Sequence, residues 1–221
     1  MELTLAEELL LLALKDEKGT ILLSASSGLH FGLAGAALME LFLMKKADVQ
    51  DKRLAAAGTA GPKDPILNEI WQAVRDKEKP KAIRFWVEKY GRTNKLRNRC
   101  LDRLVEKGIL AREKRKVLFV FPGNRYPTAN PRPESEERLR LRRAVLDHKP
   151  VEPRTVMLLS LIQACDLVGE IFPKPEKKEA KKRIKEMVKN EEIGRVVAQE
   201  IAAGVAACIV ASTVASCAAS G

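Results

Sequence analysis

The sequence predicts a mainly α-helical protein, a single domain over residues 1–221 with a central helix bundle and one protruding β-hairpin. Alanine and leucine supply most of the apolar residues while aromatic residues make up only 5% of the chain, a bias that favours helix over sheet. Apolar residues recur at helical spacing in most segments. A strand pattern interrupted by a polar turn is evident between residues 109 and 121, which predicts the hairpin.

Helices are predicted in order along the chain. Thr4 and Glu7 have the spacing of a capping box, which predicts a first helix over residues 3–14. The second helix, over 28–44, is apolar on most sides and is therefore expected at the centre. The remaining predictions are helices over 64–75, 81–90, 93–107, 134–146, 154–172 and 176–219 (broken near Asn190), a short extended piece at 20–23 and a linker at 47–65.

Composition limits the possible functions. The net charge is +11, and 46% hydrophobic residues suffice for a packed core. Four cysteines without C-x-x-C spacing and only two histidines argue against a disulfide scaffold and against metal sites. The acidic start lacks the basic region of a signal peptide, and the uncharged residues 201–219 are interpreted as a core helix, with a membrane anchor as the alternative. We expect a cytoplasmic protein without metal or other cofactor.

No familiar catalytic pattern occurs in the sequence. The motifs of serine hydrolases, zinc proteases and dinucleotide-binding proteins are absent, as is a pair of acidic residues in an apolar context. His30, near a predicted helix start, is more simply a structural residue than a general base, and His148 lies in a polar turn. The sequence therefore predicts that the protein is not an enzyme.

The segment from residue 93 to residue 121 carries the strongest functional signal. Its helix, predicted over 93–107 and ended by Gly108, has an apolar stripe and a basic side. The hairpin is predicted over 109–121 with the basic stretch 112–116 as its turn. The basic residues expected at the surface are Arg92, Lys95, Arg97, Arg99 and Arg103.

Three interpretations of this segment remain open from the residues alone. In the first, the arginines clamp a lipid phosphate and the strand 117–121 offers apolar side chains to the bilayer, since charge and apolar burial together hold a peripheral protein on a membrane. In the second, the layout is a winged helix whose Arg97, Arg99 and Arg103 face a DNA groove. In the third, the strand packs on the core and the arginines form a solvated face.

Four stretches in the same order resemble the Golgi phosphoprotein 3 family. They are LTLAEELLLLALKDEKG at 3–19, GLAGAALMEL at 32–41, LVEKGIL at 104–110 and RYP at 125–127, and residues 144–147 and 154–165 agree as well. The resemblance implies a helical domain with a central bundle and one protruding hairpin. Its eukaryotic members are non-enzymatic proteins that bind phosphatidylinositol 4-phosphate on Golgi membranes and retain glycosylation enzymes through their cytosolic tails.

The family's lipid site is matched in part. A loop tryptophan of the family falls near Ser24 or Ala25, and two of its arginine positions are Ala34 and Asn94 here. Arg97 matches a third arginine and Arg99 a basic position. The resemblance thus implies a headgroup site made of Arg97, Arg99, Arg92 and Lys95, and a hairpin that inserts into the membrane or self-associates through Leu118, Phe119, Val120 and Phe121.

The expected function is therefore that of a peripheral membrane protein that binds anionic lipid, with an adaptor role in trafficking or glycosyltransferase retention if the source is eukaryotic. Expected partners are anionic phospholipid membranes with a phosphoinositide headgroup, cytosolic tails of membrane enzymes and a second copy of the chain through the hairpin. Nucleic acid, bound by residues 93–107 and 109–121, is the alternative. The start close to the opening motif and the short 47–65 linker resemble compact prokaryotic relatives; in a eukaryote the location would be the cytosolic face of the Golgi.

Overall fold

The computed structural model describes residues 2–15, 18–25, 28–117, 121–147, 150–190 and 206. The predicted mainly α fold with a β-hairpin is confirmed. The helices are α1 (Leu5–Leu12), α2 (Leu29–Leu43), α3 (Pro65–Arg75), α4 (Ile83–Gly91), α5 (Lys95–Glu106), α6 (Arg132–Leu146), α7 (Pro153–Ala164), α8 (Val168–Ile171) and α9 (Lys177–Asn190). The strands are β1 (Leu14–Lys15), β2 (Thr20–Ile21), β3 (Ala47–Gln50), β4 (Arg53–Ala56), β5 (Lys81–Ala82), β6 (Glu113–Val117) and β7 (Phe121–Arg125).

The helix α2 lies at the centre of the bundle, as predicted. It packs against α1, α4, α5 and α7, and Leu33, Leu38 and Met39 on it have no exposed surface. A side chain at Gly32 would clash with the Sγ atom of Cys165, so the end of α7 approaches α2 closely because Gly32 has no Cβ. Buried residues from α1 to α9 form one hydrophobic cluster, which supports our proposal of a single domain.

The helix α1 begins with the predicted capping box. The backbone N–H of Thr4 donates to the carboxylate of Glu7 at 2.8 Å, and the Thr4 hydroxyl accepts from the Glu7 N–H at 3.4 Å. All of α1 is buried, including Glu7 and Glu8. Buried carboxylates are costly unless they are paired, and basic residues from α5, α6 and α7 provide the pairing.

Arg154 of α7 ties the start of α1 to α2. Its guanidinium donates to the carboxylate of Glu40 at 2.8 Å, to the carboxylate of Glu8 at 3.2 Å and to the backbone carbonyl of Leu3 at 2.7 Å. Glu40 in turn accepts from the backbone N–H of Leu5 at 2.6 Å. One arginine therefore compensates two buried carboxylates and holds three helices together.

Glu8 gives the stability a dependence on pH. Burial and the neighbouring Glu137 carboxylate raise the pKa of Glu8 to about 7 from 4.5, although Arg154 and Arg140 act in the opposite direction. The native state therefore keeps a proton that the unfolded chain releases above pH 4.5. The stability that this proton contributes is complete below pH 4.5 and is lost as the pH rises through 7.

We compare the wild type with Glu8→Gln by the difference between their free energies of unfolding. This difference, wild type minus variant, is expected to fall by on the order of 3 kcal/mol between about pH 5 and pH 8. Urea denaturation across this range measures the difference. Burial and the charge of Arg97 lower the pKa of His30, which gives a slope of opposite sign, but this slope is common to both proteins and cancels. A difference that stays constant with pH would contradict the assignment to Glu8.

The first half of the linker predicted over residues 47–65 is a pair of strands. Strands β3 and β4 form an antiparallel hairpin, and β5 pairs with β4. The turn residues Asp51 and Lys52 have φ of 48° and 61°, a left-handed pair that fits a two-residue hairpin turn. The prediction is wrong because these turn residues are not the glycines that usually mark such a turn, and the strands are short and rich in alanine.

The predicted helix over 154–172 is two helices. Asp166 adopts φ 54° between α7 and α8, a conformation that aspartate tolerates better than most residues. The predicted helix over 176–219 is described as far as Asn190. Its predicted break and the interpretation of 201–219 as a core helix fall on residues outside the described ones, apart from Ala206. No helix within the described ranges is long and apolar enough to cross a membrane.

Candidate headgroup site between α5 and the β-hairpin

The helix α5 leads directly into the hairpin. Leu96, Cys100, Leu101 and Leu104 are buried, as predicted, and Val105 is partly buried. Gly108 follows the helix with φ 68°, and the N–H of Ile109 donates back to the Leu104 carbonyl at 3.0 Å. This is the predicted glycine stop, and it turns the chain towards β6.

The hairpin exists, but its register differs from the prediction. Glu113 pairs with Arg125 and Val117 with Phe121, so residues 113–116 form strand and the chain reverses between Val117 and Phe121. The predicted turn over 112–116 is therefore wrong. A two-stranded ribbon exposes its edges to solvent, so charged residues are accommodated in its strands.

The residues predicted to contact the membrane or a second copy follow β6 in the sequence. Leu118, Phe119 and Val120 fall outside the described residues, as does the side chain of Phe121, whose backbone begins β7. Their role stays a prediction.

The base of the hairpin is fixed to the body of the protein at Gly19. The Gly19 carbonyl accepts from the Tyr126 N–H at 3.1 Å. Gly19 has φ 55°, and a Cβ there would clash with the backbone of Tyr126 and Pro127. Gly19, the last residue of the first motif, therefore contacts the tripeptide Arg125–Pro127 directly, and this contact requires glycine at position 19.

The basic residues of α5 are divided between two sides of the helix. Lys95 and Arg99, which are four residues apart and share a side, both pair with Glu69 of α3, at 3.2 and 2.6 Å. Arg92, before the helix, pairs with Glu88 at 3.0 Å and is 72% exposed. Arg97, two residues from Lys95, lies on the other side and faces the hairpin.

Arg103 is not a surface residue as predicted. Its guanidinium pairs with Asp64 and lies 3.3 Å from the carboxylate of Glu7, and its side chain is 22% exposed. The carboxylate of Glu7 is fully buried in α1 and requires a positive partner, a requirement that could not be seen from the helical spacing of α5 alone.

Arg97 lines a cavity of about 390 Å³ between α5 and the hairpin. Its guanidinium donates to the side-chain oxygen of Asn98 at 3.3 Å. Within the described part of the chain, no carboxylate lies at ion-pairing distance from Arg97. The residues that line this cavity, which we call the cleft, are Arg97, Asn98, Leu101, Asp102, Arg112, Asn124 and Tyr126.

The lining of the cleft is positive. Arg112 enters it from the start of the hairpin, pairs with Asp102 of α5 and lies 5.9 Å from the centre of the Tyr126 ring. Two arginines against one aspartate leave a net charge of +1. Lys114, opposite Asn124 in the hairpin, is exposed close by.

His30 adds a neutral group near Arg97. Burial, and after it the positive charge of Arg97, lower the pKa of His30 from 6.5, so the imidazole is uncharged at pH 7. Its Nδ1 atom is buried and has no hydrogen-bond partner among the described residues. Charge in the cleft at neutral pH therefore comes from the arginines.

The chemistry available at the cleft is that of anion binding. Guanidinium groups bind phosphate oxygens in a bidentate geometry, and the side-chain amides of Asn98 and Asn124 supply further donors. The two buried thiols of the described chain, Cys100 and Cys165, have pKa values raised to about 12 by burial, so they are not nucleophiles at neutral pH.

Comparison with known protein families identifies the family of the chain. The family model described as Golgi phosphoprotein 3 (GPP34) matches residues 5–209. The chain belongs to the Golgi phosphoprotein 3 family. The match runs from the first residue of α1 to beyond α9, so it contains both sides of the cleft, and it confirms the resemblance carried by the four sequence motifs.

Three of the four Golgi phosphoprotein 3 motifs meet beside the cleft. The first ends at Gly19, the third forms the end of α5 and its glycine stop, and the fourth contains Tyr126. Of the lining residues, sequence analysis identified Arg97, and it placed Arg112 in a turn. It did not assign Asn98, Asp102, Asn124 or Tyr126 to the site, and the RYP match was the available signal for Tyr126 alone.

Proposed function

We propose that this member of the Golgi phosphoprotein 3 family is a non-enzymatic peripheral membrane protein that binds the headgroup of phosphatidylinositol 4-phosphate in the cleft. The observation that carries the proposal is the convergence of Arg97 and Arg112, from two different elements, on one cavity. Its volume of about 390 Å³ lies within the usual range of small-ligand sites, roughly 300–1,000 Å³. A phosphorylated inositol ring is a ligand of suitable size and charge.

The other basic residues near this end of α5 have a supporting role in the proposal. Arg92, Lys95 and Arg99 are paired with carboxylates that are themselves partly exposed, and such surface pairs are weak. Lys95 and Arg99 lie on the side of α5 opposite Arg97. All three cations therefore add long-range attraction to an anionic bilayer without selecting a headgroup.

Residues 118–121 supply the apolar part of the binding in this proposal. Leu118, Phe119, Val120 and Phe121 would enter the interface between headgroups and acyl chains while the cleft holds the phosphate, because neither contribution alone gives firm attachment. Self-association through the same residues is the competing role. In a eukaryotic cell the membrane would be the cytosolic face of the Golgi, and the clients would be cytosolic tails of membrane enzymes.

Vesicle flotation tests this function. We expect the protein to float with phosphatidylcholine vesicles that contain 5% phosphatidylinositol 4-phosphate and to bind more weakly when phosphatidylserine provides the same surface charge. A variant with Phe119→Ser and Phe121→Ser should lose part of the binding at unchanged preference for the headgroup. Equal flotation with neutral and phosphoinositide vesicles would contradict the proposal.

Asp102 limits the affinity of the cleft, so its replacement should improve binding. Asp102→Asn raises the net charge of the lining from +1 to +2 and releases Arg112 for the phosphate. We expect about fivefold tighter binding to phosphatidylinositol 4-phosphate vesicles, corresponding to about 1 kcal/mol for one charge. The exposed residue Asp76 provides a matched control, and equal gains for Asp76→Asn and Asp102→Asn would show that only the overall charge matters.

A nucleic-acid function has less support. The winged-helix interpretation needs Arg97, Arg99 and Arg103 on one outward face. Arg103 is directed towards Glu7 and Asp64, and Arg99 pairs with Glu69 on the side away from the hairpin. We therefore do not propose DNA binding.

A further inference from the structure

A second basic surface lies on α9, outside the cleft. This helix contains seven basic residues and two glutamates. Its apolar side is fixed by Ala180 and Ile184, which have no exposed surface, and α9 packs against α7, α6 and α8. The exposed residues of α9 lie away from this side and are Lys178, Lys181, Lys182, Lys185 and Lys189, with Glu179 beside them.

The exposed lysines form one staggered row along the helix. At 3.6 residues per turn, these five positions fall within an arc of about 100°, and at 1.5 Å per residue they cover about 17 Å of the helix. We call this row the lysine stripe. Two of its lysines make long ion pairs, in which Lys181 lies 3.7 Å from Asp166 and Lys182 lies 4.0 Å from Glu186.

We infer that the lysine stripe is a second membrane contact, which lies against the headgroups of an anionic bilayer without selecting among them. A cluster of four to eight basic residues on an amphipathic helix is typical of binding to anionic lipid. The inference rests on the proposed peripheral membrane role, but not on headgroup recognition in the cleft.

The chemistry of the stripe suits unselective attraction to phosphates, and the proposed peripheral membrane role makes the bilayer its partner rather than nucleic acid. Lysine is a hydrated point charge that attracts anions without a fixed geometry, whereas arginine is preferred where phosphates are recognised in a bidentate way. All five residues of the stripe are lysines. In this proposal the cleft selects the headgroup, and the stripe adds unselective, salt-sensitive attraction.

Charge reversal on the stripe provides the test. Lys178→Glu, Lys182→Glu and Lys185→Glu are combined, and the control combines Lys77→Glu, Lys79→Glu and Lys81→Glu, three exposed lysines around the start of β5 that give the same change in net charge. The probe is a phosphatidylcholine vesicle with 20% phosphatidylserine and no phosphoinositide. At about fivefold per lysine, we expect the stripe variant to bind about a hundredfold more weakly than wild type and the control to stay within about threefold.

Several outcomes would overturn the inference. These are unchanged binding of the stripe variant, equal losses in stripe and control variants, or wild-type binding that does not weaken between 50 and 200 mM salt. Retardation of a 20-base-pair DNA by wild type but not by the stripe variant, with equal vesicle binding, would assign the stripe to nucleic acid. If circular dichroism shows that the glutamate variant is unfolded, the corresponding triple glutamine variant replaces it, with the same criterion at a smaller loss.

Failure of the stripe and failure of the cleft are distinguishable. If only the stripe inference is wrong, binding to phosphatidylserine is independent of Lys178, Lys182 and Lys185 while the preference for phosphatidylinositol 4-phosphate remains. If only the cleft proposal is wrong, that preference is absent while the stripe variant still loses its binding to phosphatidylserine.

Discussion

Simultaneous replacement of Arg97 and Arg112 by glutamate is expected to abolish the preference for vesicles that contain phosphatidylinositol 4-phosphate. The net charge of the cleft lining changes from +1 to −3, and two guanidinium donors are lost. Hydrogen bonds to charged groups contribute about 1.5–3 kcal/mol each, so the loss of both corresponds to a decrease in affinity of at least about a hundredfold. Flotation over a series of lipid concentrations measures the change.

A matched control separates the site from the overall charge. Arg75 and Arg132 are exposed arginines paired with neighbouring carboxylates, and Arg75→Glu with Arg132→Glu gives the same change in net charge. We expect this control to keep the preference for the phosphoinositide. Since Arg112→Glu creates repulsion with Asp102, a variant with Arg97→Gln and Arg112→Gln is measured in parallel. Retention of wild-type affinity by both cleft variants would exclude the site.

The largest expected effect on stability follows from Arg154. Its replacement by alanine leaves the buried carboxylates of Glu8 and Glu40 without their shared partner, and it removes the donor to the Leu3 carbonyl. Removal of one partner from a buried ion pair typically costs about 3–5 kcal/mol, because the remaining charge stays buried. We expect a destabilisation of this size in urea denaturation at pH 8, where Glu8 is ionised.

The surface pair of Arg132 is the control for this experiment. Arg132 is 82% exposed and pairs with Glu136 four residues later, so Arg132→Ala should change the free energy of unfolding by less than about 0.5 kcal/mol. At pH 5, protonation of Glu8 should reduce the effect of Arg154→Ala. A loss below about 1 kcal/mol at pH 8 would show that Arg154 is not a structural centre of the bundle.

Local sequence signals predicted the helices well. The capping box of Thr4 and Glu7 and the glycine stop at Gly108 both depend on neighbouring residues, so they can be recognised without the fold. The strands were harder to predict. The turn between β3 and β4 is formed by Asp51 and Lys52 instead of glycines, and the basic residues 114–116 lie in β6 instead of in a turn. Register is set by pairing and by contacts such as Gly19 with Tyr126, which only the folded chain brings together.

The sequence predicted those residues of the candidate site that neighbouring residues identify, and not those that depend on contacts between distant segments. Arg97 was identified because helical spacing and the family resemblance point to the same residue. The orientation of its neighbours could not be predicted, because it depends on contacts with distant helices. Arg103 pairs with Glu7 of α1, whereas Lys95 and Arg99 pair with Glu69 of α3. Asn124 and Tyr126 join the cleft only through the hairpin register.

The most direct test of the cleft is a titration with a water-soluble, short-chain phosphatidylinositol 4-phosphate followed by nuclear magnetic resonance of the side-chain N–H groups. Saturable shifts at the guanidinium Nε–H of Arg97 and Arg112 and at the side-chain amides of Asn98 and Asn124 are the predicted result. Shifts that leave these four side chains untouched, or that occur only along α9, would contradict it.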